Sequence, residues 1–240
     1  MEPSTVIAIA VGVLFIATLA RSAFGFGDAL IAMPLLTLLL GIRSATPIIA
    51  LVGLTVTLLI VWRSHARIDR AAITRLTVSA LFGIPAGIWL FTALPTGLVT
   101  TALGISLVLF GGYALWRPSV AMLADARWAY PFGLIAGGLG GAYNMSGAPI
   151  VVYGTLRQWP PAEFRASIHG FYLPTGLLTL TGHAVGGLWT STVWLVALAA
   201  LPATLVAVLL GERLNRAIPS EKFTPVIHAA LILLGAALLV

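Results

Sequence analysis

Residues 21–34 read Arg-Ser-Ala-Phe-Gly-Phe-Gly-Asp-Ala-Leu-Ile-Ala-Met-Pro, and they interrupt an otherwise apolar run with two charges and two glycines. A second break lies in the other half of the chain, where residues 137–149 read Gly-Gly-Leu-Gly-Gly-Ala-Tyr-Asn-Met-Ser-Gly-Ala-Pro. A shift of 115 residues aligns Gly25 with Gly140. Two interrupted apolar segments at corresponding positions are typical of the binding site of a transporter.

The composition indicates a polytopic membrane protein. Of the 240 residues, 60% are hydrophobic and 8% are charged, whereas a soluble domain carries about 25% charged residues. Apolar segments fill the whole length, so we predict one all-α transmembrane domain over residues 1–240. The net charge of +6 does not indicate nucleic-acid binding, because the arginines lie between apolar segments, where they set orientation. The chain has no Cys, which excludes disulfides and thiolate metal sites.

About 8–10 membrane segments are predicted from the apolar runs. A helical span needs about 20 apolar residues. The full-length candidates are residues 45–62, 71–91, 97–116, 165–187, 189–210 and 223–240. Four further segments are shorter or broken by Gly, at about 4–22, 28–41, 129–142 and 145–157. These four are predicted to be short spans or pairs that form re-entrant hairpins, which membranes tolerate where protein or a wet cavity covers them.

The two halves of the chain resemble each other beyond the breaks. Residues 87–95 align with residues 211–219 at a shift of 124, and the same shift aligns residues 107–111 with 231–235. We therefore predict two repeats, over residues 1–117 and 128–240, with nine extra residues in the second, somewhere in about 157–187. Five segments per repeat is an odd number, so the second repeat is predicted to be inverted. The alternative is chance similarity between apolar helices.

The distribution of basic residues predicts the orientation. Eleven of the 13 Lys and Arg residues fall in loops that this topology places in the cytoplasm. The loop at residues 63–75 carries four of them, whereas residues 92–96 carry no charge. We predict that the loop at 63–75 is cytoplasmic and that both termini lie outside.

Arg21 and Asp28 are the charges predicted to lie inside the membrane. Such groups are costly in hydrocarbon, so by default they face the protein interior and mark a pathway. The functional interpretation assigns an anionic substrate to Arg21 and the coupling of a proton or cation to Asp28. The alternative is a structural salt bridge, or an arginine that reaches the cytoplasmic interface from the end of the first helix.

Glycines at the two breaks allow positive φ and a close approach of the backbone. They are Gly25, Gly27, Gly140, Gly141 and Gly147. A helix is predicted to restart after each break, at about Asp28 and Ser146, and a helix N-terminus offers free N–H groups that suit an anion. The alternative is that the glycines only let helices pack closely.

Uncharged polar residues add to the candidate site in the second half. Asn144 and Ser146 lie at the second break, and His169 and Tyr172 interrupt a later apolar segment. His169 and Tyr172 lie at helical spacing and are predicted to share a face. A histidine in a membrane helix also occurs simply as a hydrogen-bond partner of a neighbouring backbone.

An enzyme is a minor alternative. Asn-Met-Ser146-Gly faintly resembles the serine motif of rhomboid-type intramembrane proteases, with His183 as a base, but the residue two before the serine is Asn and not Gly. The sequence contains no Walker loop, no His-Glu-x-x-His and no acidic metal cluster. We therefore predict no enzymatic activity, no cofactor and no metal.

The motifs together resemble the sulfite exporter TauE/SafE family of bacterial permeases. The resemblance is carried by Ser22 to Pro34, the second Gly-rich break with Pro149, the Gly-x-x-Leu-x-x-x-Leu-Pro segment from Gly87, and the terminal Leu-rich segment with Gly235. It implies a multi-pass carrier in the bacterial inner membrane for small sulfur-containing anions such as sulfite or sulfoacetate. Many members have Gly where this chain has Asp28.

The function predicted from the sequence is secondary transport of a small anion, most readily export of a sulfur oxyanion or organosulfonate, coupled to protons or driven by the anion's own gradient. The lipid bilayer is the other predicted partner, and a homo-oligomer is left open. A passive anion channel of the same fold is the first alternative, and an intramembrane hydrolase is the second.

Overall fold

The computed structural model describes residues 2–63, 68–116 and 122–217, with isolated positions near the C-terminus. Within these residues the regular structure is helical and no strand occurs, which confirms the predicted all-α class. The helices are α1 Pro3–Phe24, α2 Asp28–Leu40, α3 Ile42–Arg63, α4 Arg70–Ala93, α5 Thr96–Trp116, α6 Ala129–Tyr143, α7 Gly147–Leu156, α8 Pro161–Val185 and α9 Ser191–Ala217. A 3-10 turn, Ala126–Trp128, precedes α6.

Five of the described helices are long and apolar enough to cross a bilayer: α1, α3, α4, α5 and α9. The chain is therefore a multi-pass membrane protein. Helices α2 and α7 have 13 and 10 residues, so at about 1.5 Å per residue neither alone crosses about 30 Å of hydrocarbon. The segment predicted at 223–240 lies outside the described residues.

A left-handed residue ends the first helix at each break. Gly25 after α1 has φ of 90°, and its N–H donates to the carbonyl of Arg21. Asn144 after α6 has φ of 57°. Gly25 and Asn144 are 119 residues apart, whereas Gly140 lies inside α6. An alignment of the two left-handed residues differs from the predicted shift of 115 by about one helical turn, and the repeat itself stays a prediction.

Corresponding helices of the two halves make corresponding contacts. α1 packs on α9, and α4 packs on α6. A Cβ on Gly211 of α9 would lie 2.8 Å from the carbonyl oxygen of Leu19. A Cβ on Gly87 of α4 would likewise overlap the carbonyl oxygen of Gly138. Leu19 and Gly138 differ by 119 and the glycines differ by 124, so an alignment on these contacts gives five extra residues in the second half, and the predicted nine stay a prediction. The inverted orientation of the halves stays a prediction.

Side-chain contacts near the ends of the helices divide those ends into two sets. At one end, Arg43 Nε donates to Thr96 Oγ1 at 3.4 Å. At the opposite end of α4, the indole N–H of Trp159 donates to Asp69 Oδ2 at 3.3 Å. The second set contains described parts of the loops predicted to be cytoplasmic, and the first set contains the loop predicted to lie outside. Several basic residues of the orientation argument, Arg67, Arg117 and Lys222, lie outside the described residues, and sidedness stays a prediction.

Candidate functional site

Arg21 and Asp28 form an ion pair across the first break. Arg21 lies in the last turn of α1 and is 5% exposed. Asp28 is the first residue of α2. The left-handed residues Gly25 and Gly27 reverse the chain between the two helices, so that Arg21 Nη1 lies 2.5 Å from Asp28 Oδ2. The break therefore places a paired charge inside the helix bundle.

Two further side chains hold the guanidinium of Arg21. Its Nη2 donates to Thr57 Oγ1 on α3 at 2.5 Å. Its Cζ lies 4.5 Å from the centroid of the Tyr172 ring on α8, a distance at which a cation interacts with the face of an aromatic ring. The Nε atom of Arg21 is buried without a hydrogen-bond partner. One donor of the guanidinium group thus remains unsatisfied.

A cavity of about 50 Å³ adjoins this ion pair. One water needs about 10–15 Å³ of such space, so the cavity has room for several waters or a small ion. Arg21 and Asp28 are the charged residues among its described lining. The remaining lining is small or polar in large part and includes Gly53, Thr57, Gly137, Gly140, Asn144, Ser146, Tyr172, Thr175, Gly176 and Thr179. Within this lining the charges of Arg21 and Asp28 offset each other, and neutral polar groups lie beside them.

Six of the ten residues singled out in the sequence line this cavity: Arg21, Asp28, Gly140, Asn144, Ser146 and Tyr172. The other four lie close to it without lining it. Gly25 packs under the side chain of Arg165, Gly27 precedes α2, and Gly141 packs against the backbone of α4. The His169 ring is 1% exposed and lies 5.7 Å from the Tyr172 ring, centroid to centroid. Gly25, Gly141 and His169 therefore pack next to the site, whereas a Cβ on Gly27 would meet nothing within 4 Å.

The second break is built from packing and one amide contact. Asn144 Nδ2 donates to the carbonyl of Thr46 on α3 at 2.7 Å, which fixes the left-handed residue against the other half of the chain. Helix α7 then starts at Gly147. The hydroxyl of Tyr172 lies so close to Gly147 that a Cβ there would overlap it. Gly147 therefore lets Tyr172 reach across the break.

Thr57 and Gly53 are site residues that the sequence reasoning missed. The hydroxyl of Thr57 donates to the carbonyl of Gly53 at 2.9 Å. Threonines in apolar helices commonly make this bond, so a threonine at this position does not by itself indicate a second role. A Cβ on Gly53 would lie 3.1 Å from Arg21 Nη1. The signal that could have found both is their spacing of one turn on a predicted span.

The chemistry of a hydrolase is not assembled in the described residues. No hydrogen bond there joins Ser146 to His183, whose Nε2 lies 3.3 Å from the carbonyl oxygen of Gly141. No group of three or more His, Asp and Glu residues that could hold a metal occurs in the described part of the chain. The arrangement fits binding of a charged solute better than bond cleavage.

The family model described as sulfite exporter TauE/SafE matches residues 9–238. Neither the curated proteins nor the solved structures contain a significant match to the chain.

Proposed function

The chain belongs to the sulfite exporter TauE/SafE family, and we propose that it is a secondary transporter that exports a small anion from a bacterial cell across the inner membrane. The anion is a sulfur oxyanion or an organosulfonate such as sulfite or sulfoacetate. The family is one of transporters and not of enzymes. The substrate, the direction and the coupling are our proposal.

The observation that carries the proposal is the buried Arg21 beside a small cavity with several polar lining residues. An anion that leaves water needs compensating donors, because a desolvated charge without partners costs several kcal/mol. Arginine supplies a permanent positive charge in a planar fork that matches the oxygens of a sulfonate. The contacts with Thr57 and Tyr172 fix that fork in place before any anion arrives.

Asp28 gives this site a route to proton coupling. In the described geometry it occupies Nη1 of Arg21 and so competes with an anion for the same donor. Protonation of Asp28 removes its negative charge and frees the guanidinium to bind the anion. One proton then accompanies each anion into the site, which couples the two movements.

The two breaks supply the moving parts of the proposed carrier. Each break joins a longer helix to a short one, and the site lies where both breaks approach the α3 and α8 helices. Short, discontinuous helices at corresponding positions of two repeats are the arrangement in which one repeat rocks against the other around a fixed site. The small cavity favours such a carrier over an open channel.

Flux measurements in proteoliposomes test the proposal. The purified chain is reconstituted, and the uptake and efflux of labelled sulfite, sulfoacetate and chloride are followed with and without a pH gradient. We expect saturable flux of the sulfur anions that responds to the gradient. Flux that does not saturate would indicate a passive channel, and the absence of any anion flux would contradict the proposal.

A further inference from the structure

Several polar residues of the cavity have glycines at the corresponding positions of the other half. The offset of 119 residues that relates Gly25 to Asn144 also holds between α3 and α8. Asn144 contacts Thr46, and Gly25 contacts Arg165, which is Thr46 shifted by 119. Applied to the cavity, this offset relates several lining residues to glycines, among them four pairs used here: Arg21 and Gly140, Asp28 and Gly147, Thr57 and Gly176, Tyr172 and Gly53.

Three of these four glycines are explained by packing. A Cβ at Gly53 would lie 3.1 Å from Arg21 Nη1, and a Cβ at Gly140 would lie 3.0 Å from the Cβ of Ser146. Gly147 makes room for the hydroxyl of Tyr172. The glycine at 176 is different, because a Cβ there would meet only the Cδ1 of Leu54, at 3.4 Å, an ordinary contact distance.

We propose that Gly176 determines the size of the anion that the cavity accepts, an inference that rests on the proposed transport function. Gly176 lines the cavity on α8, and its counterpart Thr57 lines it on α3. The Thr57 hydroxyl fills its side of the cavity and holds Arg21. The absence of a side chain at 176 leaves the matching volume empty on the other side, where the anion binds.

A second observation points to a ligand in this volume. Arg21 lines the same cavity, is 5% exposed, and has a buried Nε without a hydrogen-bond partner. Buried donors are nearly always satisfied, so the unpaired Nε marks the guanidinium of Arg21 as a group whose set of partners is incomplete in this geometry. In the proposed arrangement the oxygens of the anion face Arg21, and its substituent lies against Gly176.

Substitutions at Gly176 test the inference through selectivity. Transport of sulfite, methanesulfonate and ethanesulfonate is compared in proteoliposomes for the parent, Gly176→Ala and Gly176→Ser. Gly112→Ala on α5 is the matched control, because a Cβ there meets nothing within 4 Å and the residue does not line the cavity. The ratio of two fluxes within one variant does not depend on how much protein folds.

We expect both Gly176 variants to lower the flux of the larger sulfonate relative to the smaller anion by about fivefold or more, since an added methyl overfills a small pocket. The control should keep the parent ratio. If the parent carries sulfite alone, the inference requires a higher KM for sulfite in both Gly176 variants and an unchanged KM in the control. Unchanged ratios and KM values in Gly176→Ala and Gly176→Ser would overturn the inference while leaving the proposed function in place. A parent without any anion flux would overturn both.

Discussion

Thr57 Oγ1 accepts a hydrogen bond of 2.5 Å from Nη2 of Arg21, a residue on a different helix. This contact and the ion pair with Asp28 occupy the two terminal nitrogens of one guanidinium, and Tyr172 covers its face. An arginine held on three sides is a preorganised charge, because little further ordering is needed when an anion binds.

Substitution of Arg21 should abolish transport. We expect Arg21→Ala to reduce sulfite flux to the level of protein-free liposomes at every pH. Arg21→Lys should also fail, because a single ammonium group does not reproduce the fork or its stacking on Tyr172. Arg43→Ala serves as the control, because Arg43 contacts Thr96 at an exposed helix end. Saturable sulfite flux in Arg21→Ala would remove Arg21 from the binding site.

Replacement of Asp28 should make anion binding independent of proton binding. Because the proposed coupling brings one proton into the site with each anion, anion affinity in the parent should increase as pH falls. Asp28→Asn keeps a neutral group of similar size beside Arg21 and should bind the anion with a flat pH profile. Anion binding measured from pH 5 to pH 8 provides the comparison. A parental pH profile in Asp28→Asn would favour a purely structural salt bridge.

A methyl group at position 147 should displace Tyr172 and weaken the site. We expect Gly147→Ala to lower anion affinity by about tenfold, because the ring would move away from the guanidinium and lose a desolvated cation–π contact. Tyr172→Phe removes the hydroxyl that clashes but keeps the ring. The double variant Gly147→Ala/Tyr172→Phe should therefore recover affinity, and a lack of recovery would show that Gly147 acts by another route.

Gly87 should be a stability position without influence on selectivity. A Cβ there would overlap the carbonyl of Gly138, so α4 and α6 must separate. We expect Gly87→Ala to cost about 1–3 kcal/mol, seen as a lower melting temperature in detergent. Gly112→Ala, where a Cβ meets nothing within 4 Å, should melt like the parent. Equal melting temperatures for the two variants would contradict the close packing of α4 and α6.

Sidedness can be measured because the chain contains no Cys. Two variants, each with a single cysteine, are expressed: Arg70→Cys and Thr96→Cys. Intact cells are then treated with a membrane-impermeant thiol reagent. We expect labelling of Thr96→Cys from outside, and labelling of Arg70→Cys only after the cells are opened. The reverse pattern would invert the topology.

Much of the fold was predictable because apolar runs report helices directly. The spans predicted at 71–91 and 97–116 match α4 and α5 within a few residues. The alignment of Gly87 with Gly211 stays a prediction, and both glycines meet the backbone of a neighbouring helix. At the second break the structure departs from the expected pattern, since the residue that ends α6 in the left-handed conformation is Asn144 and not a glycine.

The charged residues of the candidate site could be identified from the sequence. Arg21 and Asp28 stand out in an apolar chain, and the structure pairs them. Thr57 was missed, because its contact with Arg21 depends on how α3 packs beside α1, which is a tertiary relationship. The glycines at 53 and 176 were likewise missed, since their meaning depends on what occupies the space beside them.

The pairing of α1 with α9 has a consequence for how the protein is made. The polar pair Arg21 and Asp28 enters the membrane early, yet α9, which covers α1, begins only at Ser191. At about 5–20 residues per second, a ribosome needs roughly 10–30 s to synthesise the intervening chain. During that time the face of α1 that packs on α9 lacks this partner helix. A chaperone or the insertion machinery is therefore expected to shelter the first half until the second emerges.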